Sequence, residues 1–174
     1  RWSGISEQYE FCFTRRDGTE LWTIVAASPD RDERGQITGS LEMITDITQR
    51  KIAEAALRRR AAEFRVMFEN AAMGVALVDT VGRLQNCNPA LQQLLGYSSE
   101  ELHGMTVTQL THPEDLDLSY FRELVAGRRD SYRYERRYLR KNRDIVWVRV
   151  TASAVREADG PLRFVVGVEV HARL

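Results

Sequence analysis

The chain has 174 residues, of which 43% are hydrophobic and 29% charged, and its 25 Lys and Arg cancel its 25 Asp and Glu. That composition belongs to a folded globular protein with room for one complete core of about 100–150 residues. Zero net charge gives no global field to draw nucleic acid or an anionic membrane. No apolar run approaches the roughly 20 residues that span a bilayer, and no signal peptide is visible. Cys12 and Cys87 are the only cysteines and lie in unrelated settings, which argues against a disulfide framework and for a reducing, cytoplasmic compartment.

Residues 1–48 read as three strands. Gln8–Thr14 alternates, Arg16-Asp17-Gly18-Thr19 carries an Asp-Gly turn signal, and Leu21–Ala27 is the returning arm of a hairpin. A polar loop, Pro29–Gln36, leads to a third strand, Ile37–Thr45. Residues 49–70 form a helical linker: Gln49–Asn70 is rich in Ala, Arg and Glu and holds neither Gly nor Pro. Ala53, Leu57, Arg60, Phe64 and Met67 fall at heptad-like spacing, with a charge at the centre of the seam. Such a helix can lie on its own sheet or pair with a second copy. So Arg-rich a segment has little core of its own, which favours a homodimer.

Residues 71–174 read as a complete α+β domain. Gly74–Asp79 and Leu84–Cys87 are strands around a Val81-Gly82-Arg83 turn. Asn88 is an N-cap, Pro89 takes the first helical position, and Gly96 closes the helix. Ser98 with Glu101 makes a capping box for a one-turn helix ending near Gly104. His112-Pro113-Glu114-Asp115 opens a further helix, with Leu118, Phe121, Leu124 and Val125 as its apolar positions and Gly127 as its end. Three strands follow: Ser131–Leu139, Ile145–Val155 and Leu162–Val170. This order predicts one antiparallel sheet with short helices on one face.

Tyr9–Gly35 recurs without a gap as Tyr134–Gly160. Tyr9/Tyr134, Glu10/Glu135, Arg15/Arg140, Trp22/Trp147, Val25/Val150, Ala27/Ala152 and Ser28/Ser153 match at a constant offset. A period this long marks a duplicated domain rather than a solenoid. The segment before the second copy, Phe68–Arg128, has no counterpart before the first. The expectation is therefore the last three strands of one domain followed by one whole domain of the same kind, a piece of a longer protein. With half of its partner elements missing, the first sheet should leave Phe11, Phe13, Val25, Leu41 and Met43 partly wet on one face.

Phe68-Glu69-Asn70-Ala71, Asn88-Pro89-Ala90, Leu95 through Gly104, His112-Pro113-Glu114-Asp115 and Tyr134-Glu135 through Trp147-Val148 together resemble the PAS sensor domains. In the first copy, Arg16-Asp17-Gly18-Thr19-Glu20-Leu21-Trp22 and Thr45-Asp46-Ile47-Thr48-Gln49-Arg50-Lys51 resemble them more closely still. The resemblance implies a five-stranded sheet in the order 2-1-5-4-3, helices cupping a pocket, and a sensory role in a bacterial signalling protein. It also implies an output domain in cis, either a histidine kinase or a diguanylate cyclase or phosphodiesterase.

Asp46, Ile47 and Thr48 sit where a strand becomes a helix, so short polar side chains can cap the helix while bonding back to the sheet. The resemblance gives them signal transmission. In the second copy the matching segment reads Glu169-Val170-His171-Ala172-Arg173, with Glu169 set against Asp46. Asn142-Arg143-Asp144 replaces the Lys-Asp-Gly turn usual in the family, so the second hairpin is expected to bend differently.

Period-two alternation separates the faces of the last strands. Val146, Val148, Val150 and Ala152, with Leu162, Phe164, Val166, Val168 and Val170, form the face toward the helices. Trp147, Arg149, Thr151 and Ser153 form a mixed outer face that a helix or second chain could cover. The candidate pocket for a small-molecule ligand is Leu118, Phe121, Leu124, Tyr134, Arg136, Tyr138, Val148, Val150 and Val166. Arg128–Arg143 holds eight basic residues against Asp130 and Glu135. The plain reading is a solvated hairpin with Arg stems covering aromatics, although an inward Arg could meet an anion. A basic run confined to one hairpin does not suit nucleic acid.

No cofactor is identified. The light-sensing relatives carry a flavin-bonding cysteine in a segment that here reads Gly104-Met105-Thr106-Val107-Thr108-Gln109-Leu110, which excludes covalent flavin. Haem-binding relatives place a His on the long helix, where this chain has none; His103, His112 and His171 read as capping or solvated. No Cys/His cluster has zinc spacing, and no phosphate loop, nucleophile elbow or carboxylate pair indicates an enzyme. The rival to a sensor is a purely structural dimerisation module whose pocket is filled by its own side chains.

Overall fold

The computed structural model describes residues 7–155 and 162–170. The chain divides into two compact units, Arg1–Glu63 and Phe64–Leu174.

In the first unit, β1 (Glu7–Thr14), β2 (Glu20–Arg31) and β3 (Ile37–Asp46) form an antiparallel meander in that order. β2 runs beyond the predicted Ala27, with a register irregularity at Asp30/Arg31, so the polar loop is shorter than expected. The pairings Tyr9↔Val25, Phe11↔Thr23 and Phe13↔Leu21 place the aromatics on the same face as Val25, whereas Ala26↔Met43 and Ser28↔Leu41 put Met43 and Leu41 on the other. The expected single wet face is therefore corrected to two. Phe11 and Phe13 are 47% and 39% exposed on one, Leu41 and Met43 73% and 68% on the other. Val25, flanked by Tyr9 and Ile44 on the central strand, is buried after all.

Helix α1 (Thr48–Asn70) is continuous and has no buried residue. Ala53, Leu57, Phe64 and Met67 are all exposed, as are Ile52 and Val66. Arg59 and Glu63 pair along its surface at 2.9 Å.

The second unit carries β4 (Gly74–Val78), β5 (Leu84–Cys87), β6 (Ser131–Leu139), β7 (Ile145–Val155) and β8 (Arg163–Val170) in the order β5-β4-β8-β7-β6. Numbered within the domain, this is the expected 2-1-5-4-3. Short helices α2 (Pro89–Leu95), α3 (Ser99–Leu102), α4 (Val107–Leu110) and α5 (Ser119–Val125) complete it. The predicted caps form: Asn88 accepts from the Leu91 N–H, Ser98 and Glu101 close a reciprocal box, and Gly96 is left-handed at φ 77°. Leu91, Leu95, Leu102 and Leu124 pack with Val148, Val150, Phe164 and Val166 in one core. Val170 was expected on that face but is 62% exposed at the strand's end.

The helix predicted from His112 to Gly127 is broken. His112 caps only a 3-10 turn, Pro113–Asp115, and α5 starts afresh at Ser119, where the Asp117 carboxylate accepts the Ser119 N–H at 2.8 Å. The reason is Asp115, which accepts from the Arg137 backbone N–H at 2.7 Å and its guanidinium at 2.6 Å. That tie pins the turn to β6 and prevents it from winding on.

The two hairpins bend alike, against expectation. Gly18 N–H bonds the Arg15 carbonyl at 3.0 Å, and Arg143 N–H bonds the Arg140 carbonyl at 2.8 Å. Asp17 and Asn142 each turn a side-chain oxygen to the N–H two residues on. Arg143 therefore takes the left-handed position of Gly18, at φ 69° against 82°. It is the only non-glycine with positive φ among the described residues.

Candidate functional site

In the first unit the junction between β3 and α1 is built from Asp46, Ile47 and Thr48. Asp46 Oδ1 accepts the Thr48 N–H at 2.8 Å, and its other oxygen meets Arg15 at 3.4 Å. Hydrogen bonds from Thr48 hold the Asp46 carboxyl below the usual carboxylate range. Ile47 donates its N–H to the Trp22 carbonyl at 2.8 Å, while Thr48 Oγ1 accepts the Trp22 N–H at 3.0 Å. The backbone of β2 is thus paired with the first residues of the helix, and the ladder passes into α1 without a gap. Ile47 is buried beneath the junction.

Side chains of the first helical turn add a clamp. Glu10 on β1 accepts from Arg50 at 2.8 Å and also from Lys51, contacts that lower its pKa, Lys51 most. The Lys51 ammonium lies 5.2 Å from the centre of the Trp22 ring, a cation–π distance. Sequence reasoning singled out Asp46, Ile47 and Thr48 but missed Glu10, Trp22, Arg50 and Lys51. The signal was present: Glu10 and Trp22 are two of the positions repeated in the second copy.

The second unit uses the same positions differently. Glu135 accepts from Arg149 at 3.0 Å, and the Arg137 guanidinium sits 5.5 Å from the Trp147 ring, so strand neighbours engage both. Trp147 is half-buried on the mixed outer face, as expected. Glu169 does not correspond to Asp46. Thr23 pairs with Asp46 and its repeat, Val148, pairs with Val170, so Val170 holds the Asp46 position and Glu169 that of Thr45. The offset between the copies falls by one residue between Thr23/Val148 and Asp46/Val170, whereas setting Glu169 against Asp46 takes out two. Glu169 instead faces Arg133 at 3.8 Å. His171 and Ala172 lie outside the described residues.

On the inner side, Phe121, Leu124, Tyr134, Tyr138, Val148, Val150 and Val166 come together within the core. Leu118 stays half-buried outside that cluster, before the first turn of α5. A groove of about 450 Å³ is lined elsewhere on the unit, by Phe64, Phe68, Cys87, Gln92 and Ser99 among others. Cys87 itself is a buried core residue whose thiol burial pushes upward.

Arg136 overturns the solvated-hairpin reading at its own position. It is 4% exposed, with Nη1 donating to Thr111 Oγ1 and Nη2 to the Asp117 carbonyl, each at 3.1 Å. Its guanidinium carbon lies 4.0 Å from the Tyr134 ring centre. Nε is buried and has no hydrogen-bond partner. Burial raises the neighbouring phenols, Tyr138 to about 12 and Tyr132 and Tyr134 in the same direction. Arg137, on the opposite face, is the one paired with acids, Asp115 and Glu114.

His103 and His112 take capping positions: His103 Nδ1 lies 3.1 Å from the Gln85 carbonyl, and His112 Nδ1 accepts the Glu114 N–H at 3.3 Å. No helix among the described residues is long and apolar enough to cross a membrane.

A five-stranded sheet in this order with helices over one face, preceded by a second copy of its last three strands, defines a class, and the chain belongs to the PAS domain family, whose sequence profile matches residues 3–49 and 72–171. It is 47% identical over 109 residues to the probable diguanylate cyclase DgcE of Escherichia coli, covering 61% of this chain and 10% of that protein. Over 101 residues it is 34% identical to the sensor histidine kinase TmoS of Ectopseudomonas mendocina, covering 56% of this chain and 10% of that one. The chain thus spans about a tenth of the length of these curated relatives. The PAS domain of an HTR-like protein from Haloarcula marismortui matches with a TM-score of 0.59 at 20% identity, over 70% of this chain and 99% of that one. At that identity the likeness speaks for the fold alone.

Proposed function

We propose that this chain is the sensory relay of a cytoplasmic signalling protein. In this reading the domain at 71–174 responds to a small molecule or partner, and helix α1 carries the change to or from an output domain in cis. Its similarity to PAS segments of a probable diguanylate cyclase and a sensor histidine kinase supports those two output classes. One observation carries the relay: the backbone of Trp22 is bonded to both Ile47 and Thr48, so a shift of β2 must move the start of α1. Dimerisation through Ala53, Leu57, Phe64 and Met67 would let two such helices report on each other; the exposure of that whole seam supports it.

The rival reading, a structural dimerisation module, draws support from the packing of the candidate pocket residues in the core. The two part in one experiment. The chain is fused ahead of a diguanylate cyclase domain and cyclic dinucleotide synthesis is measured for wild type and Asp46→Ala/Thr48→Ala. A relay predicts that freeing the junction changes output several-fold while the dimer persists. Unchanged output from an intact dimer leaves only the structural module.

A further inference from the structure

We infer that the second domain binds a small carboxylate with an apolar or aromatic body, and that Arg136 is the residue that meets its charge. This rests on the sensory reading above and names the class of ligand.

The charge of Arg136 is left unbalanced by its surroundings. A guanidinium carries a positive charge, and a buried cation is costly unless it is paired and fully hydrogen-bonded. Here the guanidinium has only two neutral acceptors, a hydroxyl and a carbonyl, both at 3.1 Å. It makes no ion pair among the described residues, although Arg137 beside it has two. Asp117, whose carboxylate feels Arg136 through space, is exposed and turned to the Ser119 N–H. Nε–H has no acceptor. Another buried orphan, Arg140 Nε, belongs to a partly exposed side chain at the hairpin and carries no such imbalance.

The fold does not require a cation there. Arg136 pairs with Val148 as Phe11 pairs with Thr23, so the same register position in the duplicated sheet holds an apolar ring. What surrounds Arg136 selects the rest of the ligand. Tyr132 and Tyr134 stack at 5.2 Å, and Tyr120 of α5 rests against both at 6.1 Å. Tyr120 is 42% exposed, the outermost ring of the three. A flat acid that displaces the Tyr120 ring would slide between α5 and β6 against the other two and bring its carboxylate to Nε–H and the neighbouring NH groups, a bidentate match.

Benzoate is the probe, with acetate and inorganic phosphate at matched ionic strength, on the whole chain by calorimetry and thermal melting. Benzoate should bind wild type and raise its melting temperature. Arg136→Met should weaken binding roughly 10-fold or more, the worth of a charge-assisted pair. Arg136→Lys, which keeps the charge without the fork, should weaken it less and gives the same test if Arg136→Met does not fold. Failure of benzoate to bind, undiminished binding in both variants, or phosphate binding as tightly as benzoate overturns the proposal. Benzoate binding through Arg136 without any change in the fused cyclase would sink the sensory reading and leave the ligand class standing. A cyclase response to another agent that survives Arg136→Met would do the reverse.

Discussion

Asn88 offers the sharpest test of how the second domain is held together. An N-cap normally contributes one hydrogen bond, but this side chain is fully buried and makes four. Its oxygen accepts the N–H of Leu91 at 3.0 Å and of Val75 at 2.9 Å; its amide donates to the carbonyls of Phe68 at 3.1 Å and Met73 at 3.0 Å. It therefore ties the last turn of α1 to β4 and α2. At about 1 kcal/mol net per bond, Asn88→Ala should cost about 4 kcal/mol, a large share of the roughly 5–15 kcal/mol that stabilises a domain. Asn88→Ser separates the two roles, because serine caps a helix as well as asparagine but cannot reach the Phe68 and Met73 carbonyls. It should lose about 2 kcal/mol. The assay is urea unfolding followed at the backbone amides of β7 and β8, with the slope checked for constancy. A loss within about 1 kcal/mol for Asn88→Ser would show that Asn88 is an ordinary cap and that the clamp on α1 is illusory.

Arg143→Gly should stabilise the second domain by about 0.5 kcal/mol in the same unfolding assay, since relief of a left-handed side chain outweighs the added freedom of the unfolded chain; a destabilised variant would contradict the strain. Asp115 titrates at about 2, depressed chiefly by its hydrogen bond from Arg137. A depressed carboxyl contributes stability above its unfolded value near 3.8 that is lost as pH falls through about 2. Asp115→Asn should therefore flatten the acid limb of the stability profile between those values, and an unchanged limb would place the titration elsewhere. Leu57→Asp with Phe64→Asp should convert a dimer to a monomer in sedimentation, by placing charges on the α1 seam; a persistent dimer would move the interface off α1.

Much of this was legible in the sequence because the signals were local. Asn88-Pro89, Ser98 with Glu101 and the alternation of β7 each depend on neighbours a few residues away, and each formed as read. What was hidden depended on distant partners. Asp115 stops its helix only because Arg137 comes beside it across the fold. On β6, alternation sets Arg136 with Tyr134 and Tyr138 and Arg137 on the other face, but it could not tell that Arg136 would be buried without an acid while Arg137 pairs with two. The mismatch of Glu169 with Asp46 is one of register: strand pairing makes the second copy one residue shorter from Val148 to Val170 than the first from Thr23 to Asp46, whereas matching Glu169 to Asp46 shortens it by two. The left-handed Arg143 escaped for the opposite reason: the turn was strong enough to impose its shape on the wrong residue.

The relay stands or falls on whether the sheet and α1 move as one body at their junction. Native-state amide exchange of the unmodified chain measures this directly. The bonds of Ile47 and Thr48 to Trp22 predict that the amides of Lys51 and Ile52 open with the same free energy as those of Thr23 and Val25 on β2. Exchange of the helical amides faster by more than about 30-fold, roughly 2 kcal/mol easier opening, would mean that the helix frays freely from a standing sheet, and a movement of β2 could not be passed on.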